Sequence, residues 1–207
     1  MIERSHITGL ILAGGRGSRM GGIDKGLQPL NGVPMALHTL HRLAPQTGAQ
    51  LINANRNLDT YAAFGVPVVS DDTGGGEAGT EVRFDGPLAG LLAGLARCET
   101  AWLVMSPCDT PFLPVDLVAR LAQAVDAAQA EIAMPVTIRD DGRRQPQPTF
   151  CLVPASARGS LCDYLDRGGR KVETWMASHR LVEVPFDDAA AFANINTLDE
   201  LRAHEAR

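Results

Sequence analysis

Short apolar runs alternate along the chain with stretches whose apolar residues recur every three or four positions. This pattern predicts βαβ units around a mostly parallel sheet. The first run, Ile7 to Ala13, leads into a segment with glycines at Gly14, Gly15, Gly17, Gly21, Gly22 and Gly26. A helix is predicted from near Pro34, a residue tolerated in a first turn, with Leu37, Leu40 and Leu43 on one face. Strands are predicted at Ala49 to Ala54 and Val66 to Val69, with a short helix at Leu58 to Phe64 between them. From Asp71 to Arg83 the chain loses all periodicity, which predicts a long loop and a candidate lid. Pro87 to Arg97 returns to helix, with Leu88, Leu91, Leu92 and Leu95 on one stripe, and Ala101 to Met105 forms a buried strand stopped at Pro107. Pro114 opens an amphipathic helix carrying Leu117, Val118, Leu121, Ala122 and Val125. Strands at Glu131 to Met134 and Thr149 to Val153 flank a polar turn at Asp140 to Arg144. Helices at Ser156 to Asp166 and Val172 to His179, a strand at Leu181 to Val184 and a closing helix from Leu198 complete the pattern. No repeat, linker or second core interrupts it, so one domain is expected over residues 1–207.

A chain of 207 residues with 45% hydrophobic and 21% charged positions has the balance of a globular domain. Such a domain buries roughly 70% of its unfolded surface, so it needs no disulfide or structural metal to supply a core. Cys98, Cys108, Cys151 and Cys162 contain no CxxC pair, and the five histidines show no zinc-ligand spacing relative to them. No apolar stretch approaches the ~20 residues of a membrane span, and the Ile7 to Ala13 run meets Arg16 and Arg19 rather than a cleavage site. A cytoplasmic protein without membrane contact is expected. The net charge of -5 argues against non-specific nucleic-acid binding. Residues 1–56 nevertheless hold six basic side chains against two acidic ones, and the remainder 13 against 22. The N-terminal quarter is therefore where an anionic small molecule would be drawn, unless the bias is ordinary surface composition.

In open parallel sheets ligands bind beyond the carboxyl ends of the strands. After the first run stands Leu12-Ala13-Gly14-Gly15-Arg16-Gly17-Ser18-Arg19-Met20-Gly21-Gly22-Ile23-Asp24-Lys25. Asn53 and Asn55 follow the second run, Asp71 and Asp72 the third, and Pro107-Cys108-Asp109-Thr110-Pro111 the fourth. Glycines let backbone N–H groups approach phosphate oxygens. The segment is not a Walker A loop, because Lys25 follows Asp24 and precedes Gly26. Nor is it a dinucleotide fingerprint, since no acid occurs between Asp24 and Asp59. A glycine loop with Arg16, Arg19 and Lys25 fits a triphosphate whose charge must be offset while a phosphoryl bond breaks. A tight strand-to-helix turn with its cations in solvent is the other reading of the same residues. Asp109, beside proline-stiffened backbone, suits Mg2+, which takes one or two carboxylates and completes its shell with water and phosphate oxygens. Capping of the helix opened by Pro114 is the other use for it.

The string LAGGRGSRMGGIDK, with NAN at Asn53 to Asn55, GPLAG at Gly86 to Gly90, PCDTP at Pro107 to Pro111 and NIN at Asn194 to Asn196, resembles the molybdenum cofactor guanylyltransferases of the MobA type. The resemblance runs through nearly the whole chain. It implies an α/β, Rossmann-like nucleotidyltransferase fold with a mostly parallel central sheet flanked by helices. It further implies transfer of GMP from GTP to the terminal phosphate of Mo-molybdopterin, with Mg2+ and release of pyrophosphate. Residues 1–113 would then mainly bind GTP and Mg2+, and 114–207 mainly molybdopterin. By the same resemblance Leu12, Ala13, Gly14 and Gly15 meet the nucleotide, Arg19 and Lys25 serve catalysis with Asp109, and Lys25 contacts phosphates. Asn53 and Asp71 are further GTP contacts, Asp109 is the Mg2+ ligand, and Arg170, Lys171, Asn194 and Asn196 meet the pterin. The segment from Asp71 to Phe84 is longer and richer in glycine than the family usually shows. The partners implied are the two small-molecule substrates, with transient contacts to cofactor-biosynthesis proteins or acceptor molybdoenzymes also compatible.

Two other readings remain open on the sequence. Relatives that use CTP on the same pterin typically have AAG and CDQP where this chain has AGG and Cys108-Asp109-Thr110-Pro111, which favours GTP. A non-catalytic nucleotide-binding or cofactor-delivery protein would not require both Lys25 and Asp109.

Overall fold

The computed structural model describes residues 1–15, 23–71, 86–139 and 141–205. Strand β1 (Ile7–Leu12) lies at the centre of the sheet, and its alternating side chains feed two separate cores. Ile7 and Ile11 face one layer, packed with α1 (Met35–Leu43) and α4 (Leu117–Ala128). Leu10 faces the other, with α3 (Pro87–Arg97), α5 (Arg158–Asp166) and α6 (Val172–Met176). Each fully buried Leu or Ile contributes roughly 1.5–3 kcal/mol, so both faces of the sheet are anchored.

Among the described residues eight strands form the main sheet. On one side of β1 stand β4 (Ala49–Asn53) and the edge strand β5 (Val68–Val69), with the short α2 (Leu58–Ala62) between them in sequence. On the other side stands β6 (Trp102–Pro107), and all these neighbours pair in parallel. Beyond β6 the short β9 (Leu152–Pro154) is antiparallel to both β6 and β7 (Ile132–Ile138). β7 pairs in parallel with β10 (Leu181–Phe186) and carries the antiparallel β8 (Arg144–Pro146) as a side branch. The expected mostly parallel sheet flanked by helices is therefore present, with β8 and β9 as the reversed members.

Two differences from the pattern-based expectation have physical causes. β6 does not stop at Met105 but runs through Pro107. Cys108 N–H donates to Leu12 O (3.0 Å) and Met105 N–H to Cys151 O (2.9 Å), so the missing N–H of Pro107 falls on the β9 side, beyond the last β6–β9 pair at Val104. A separate hairpin of β2 (Pro29–Leu30) and β3 (Val33–Pro34) turns through Asn31 (φ 52°) and Gly32 (φ 78°), the left-handed pair of a two-residue hairpin loop. The closing helix α7 (Leu198–Glu205) returns to this hairpin, where Leu201 and Ile195 join Leu30 and Met35 in a third small core. Among the described residues, no helix is long and apolar enough to cross a membrane.

Candidate active site

Register levels the strand ends. Leu12 pairs with Asn53 on one side and Pro107 on the other, and Asn53 pairs in turn with Val69. Because the chain leaves β1 toward β4 and β5 and then returns to β6 on the opposite side, the gap between β1 and β6 is the switch point where such sheets bind ligands. Two adjoining cavities of about 730 and 350 Å3 open there, sharing Leu12, Gly15, Gly86, Pro87 and Asp109. A larger groove of about 1010 Å3 runs beside β5 and the end of α3, lined by Arg97 and Arg158 among others, but it holds none of the residues singled out above. Chemistry, not volume, locates the site.

In the larger of the two cavities Lys25, on a 3-10 turn Lys25–Leu27, places Nζ 3.4 Å from Asp109 Oδ2 and donates to Asn196 Oδ1 at 2.7 Å. Asp109 is buried, and burial raises its carboxyl above the ordinary value while the Lys25 ammonium opposes that rise. Ile195 explains why the C-terminal asparagines reach this point. Its side chain is buried in the third core and its N–H donates to Asp109 O at 2.9 Å, which leaves Asn194 lining the smaller cavity and Asn196 on Lys25. Glu200 fixes the following turn by accepting from the N–H groups of Asn196 (2.6 Å) and Thr197 (3.3 Å), while its own N–H donates to Thr197 Oγ1 at 3.1 Å, a capping box.

The smaller cavity contains a second polar group. Asn53 Nδ2 donates to Asp71 Oδ1 at 2.8 Å, Asn55 Nδ2 donates to Oδ2 at 2.6 Å, and Asp71 N–H donates back to Asn55 Oδ1 at 2.9 Å. Helix α3 makes room for it. A Cβ on Gly90 would lie 2.4 Å from Asn53 Oδ1, and one on Gly14 2.8 Å from Asn55 Nδ2. Ala13 N–H is committed to Asn53 O at 2.7 Å. The thiol of buried Cys108 is pushed well up by burial and by neighbouring Asp109, which leaves it protonated and a poor nucleophile at neutral pH.

Leu12, Ala13, Gly14, Gly15, Lys25, Asn53, Asp71, Asp109, Asn194 and Asn196 are thus gathered around one crevice. Arg170 and Lys171 are not. Both are exposed between α5 and α6, Arg170 donating to Leu165 O and Gly169 O, and neither lines either cavity. Arg16, Arg19, Asp72 and all but the first residue of the Asp71 to Arg83 loop lie outside the described residues. Asn55, which the strand-end rule brings forward beside Asn53, joins the site, and Thr149 and a buried set of partners around Asp24 are additional polar members that the rule does not select.

A family model for the MobA-like NTP transferase domain matches residues 9–182. A molybdenum cofactor guanylyltransferase of Cupriavidus metallidurans is 70% identical over 206 residues, spanning 100% of this chain and 98% of the relative. One from Ralstonia pickettii is 60% identical, spanning 97% of each. The chain belongs to the molybdenum cofactor guanylyltransferase family. As a nucleotidyltransferase of that family, it shares its fold with distant solved structures. Molybdopterin-guanine dinucleotide biosynthesis protein A from Archaeoglobus fulgidus superposes with a TM-score of 0.74 at 22% identity, covering 96% of this chain and 97% of that one. A 4-diphosphocytidyl-2C-methyl-D-erythritol synthase from Anaerococcus prevotii gives 0.73 at 13% identity, covering 99% and 98%. At these identities the likeness shows the fold alone, and the guanylyltransferase family rests on the relatives of high identity.

Proposed function

We infer that the chain transfers GMP from GTP to the terminal phosphate of molybdopterin, releasing pyrophosphate. The observation that carries this reading is the convergence of Lys25, Asp109 and Asn196 at the β1–β6 switch point, in a chain whose full-length relatives are guanylyltransferases. A phosphate oxygen of molybdopterin attacks the α-phosphorus of GTP, and the bond from that phosphorus to the bridging oxygen of pyrophosphate breaks. No group on the protein is acylated or phosphorylated in such a displacement. The chain's contribution is positioning and charge. Lys25 offsets negative charge on the distal phosphates, Asn53 and Asp71 hold the nucleoside side, and Asn194 and Asn196 orient the acceptor.

Asp109 fits a Mg2+ ligand. It presents a single carboxylate, a hard oxygen donor, at the crevice where Lys25 stands. That suits an ion whose remaining ligands are water and phosphate oxygens. When bound, Mg2+ would neutralise charge on the phosphates. Replacement of Asp109 by Ala is expected to keep most GTP binding, read by calorimetry, and to lower turnover by about 100-fold or more. Turnover at the wild-type rate would remove Asp109 from this role.

A further inference from the structure

Asp24 is a buried acid that the transfer reaction does not use. Its side chain is 7% exposed, it accepts from Tyr61 Oη at 2.6 Å and from Asn57 Nδ2 at 2.9 Å, and Arg56 Nε lies 3.7 Å away. Tyr61 is fully buried in the main core, and burial together with Asp24 drives its hydroxyl pKa up, so it stays a donor. Arg56 also reaches two carbonyls, 41 and 33 positions away from it, that flank the glycine segment in sequence. Its Nη2 donates to Gly15 O at 3.3 Å and to Ile23 O at 3.1 Å. One guanidinium therefore ties the residue that enters the segment to the residue that leaves it, and the acid facing that guanidinium is the immediate neighbour of Lys25.

The same network sets where Lys25 stands. Asp24 O heads the 3-10 turn by accepting from Leu27 N–H at 3.3 Å, and Gln28 Nε2 donates to the same carbonyl at 3.3 Å. A Cβ at Gly26 would lie 2.5 Å from Tyr61 Oη, so the turn rests directly on the hydroxyl that holds Asp24. Moving Asp24 must move Lys25.

We propose that Arg56 and Asp24 form a clamp that ties Gly15 to Ile23 and aims Lys25 at the distal phosphates, Arg56 being a positioning residue and not a phosphate ligand. The proposal rests on the reading of GTP as substrate. The positive charge of Arg56 is offset by Asp24, and one nitrogen of its planar fork, Nη2, serves both carbonyls while another, Nε, faces the acid, a fixed division of directions that the single nitrogen of a lysine does not offer. Its function is geometric. The consequence is selective: nucleotides with distal phosphates depend on the clamp, and GMP does not.

Affinities of the full chain for GTP and for GMP, measured by calorimetry on wild type, Arg56→Lys, Arg56→Gln and Tyr61→Phe, with the melting temperature of each, test this. Arg56→Lys and Arg56→Gln are expected to weaken GTP alike, by about tenfold, the size of one charge-assisted hydrogen bond lost, with GMP affinity unchanged. Tyr61→Phe, which removes one hydroxyl from a retained ring, is expected to shift the GTP to GMP ratio in the same direction by less. Retention of GTP affinity in Arg56→Lys with loss in Arg56→Gln would make Arg56 a point-charge phosphate contact and overturn the clamp. Equal weakening of both nucleotides, tracking melting temperature, would reduce it to a fold contact and overturn it too. A wild-type chain that binds no guanine nucleotide contradicts the functional reading before any variant is made, which separates that failure from failure of the clamp alone.

Discussion

Asp109 costs the fold stability in return for its place in the crevice. Its carboxyl pKa is raised by burial, with Lys25 only partly compensating. A folded-state value above the unfolded one means that folding is favoured most when the group is protonated, below the ordinary carboxylate range, and that stability is lost as pH rises through the raised value. Asp109→Asn is therefore expected to melt higher than wild type at neutral pH and close to it near pH 3, while losing turnover. Thermal melts of both proteins at the two pH values check this, and a lower melting temperature at neutral pH contradicts it. Lys25 makes the complementary case. Lys25→Ala is expected to weaken GTP about tenfold or more and GMP far less, because a charge-assisted contact to distal phosphates is absent from GMP. Equal weakening in paired titrations would take Lys25 off that role.

At the scale of elements, α3 shows how a helix can be legible in outline and not in purpose. Its leucine stripe predicts the span Pro87–Arg97, and Leu88, Leu91 and Leu95 are buried as expected. Gly90 and Gly94, one turn apart, have a role that periodicity does not reveal. Cβ atoms there would approach Asn53 Oδ1 and Leu10 Cδ2 at 2.4 and 2.5 Å, so the helix packs against the sheet at the point where Asn53 must turn toward Asp71. Gly90→Ala is expected to destabilise by about 1–3 kcal/mol through overpacking and to weaken GTP as well. Gly159→Ala in α5, where nothing lies within 4 Å of the added atom, is expected to stabilise by up to about 1 kcal/mol. Urea denaturation of the two variants separates a site-bearing glycine from an incidental one. The β2–β3 hairpin carried a readable signal, Asn31-Gly32, but strands of two residues give alternation nothing to act on. β8 escaped for a related reason, because its exposed residues pair through the backbone and leave no apolar trace, whereas the extension of β7 through buried Val136 and Thr137 to Ile138 lies beyond Pro135, a residue that reads as the end of a strand.

For the whole molecule, the strand-end rule found Asn53, Asp71 and Asp109 because register, set by long parallel pairing, delivers all of them to one edge. It could not find Arg56 and Tyr61, or tell that Asp24 in the string after β1 is their partner, because that importance lies in contacts across 33 to 41 positions of sequence. Nor does it place a residue that only a resemblance brings forward. Arg170 is bonded to Leu165 O at the end of α5 and to Gly169 O beside it, whereas Asn194 lines the crevice. The double replacement of Arg170 and Lys171 by Ala is accordingly expected to leave the KM for molybdopterin unchanged, and Asn194→Ala to raise it. The opposite order in steady-state kinetics would move the acceptor site toward α6.

The central claim is that one crevice joins GTP to molybdopterin with loss of pyrophosphate. Pyrophosphate release measured with GTP, CTP, ATP and UTP in turn, with Mg2+ and with molybdopterin present or omitted, tests it most directly. Release with GTP alone, and only when molybdopterin is present, is the predicted result. Release with CTP in place of GTP, or no release with any of the four nucleotides, contradicts it.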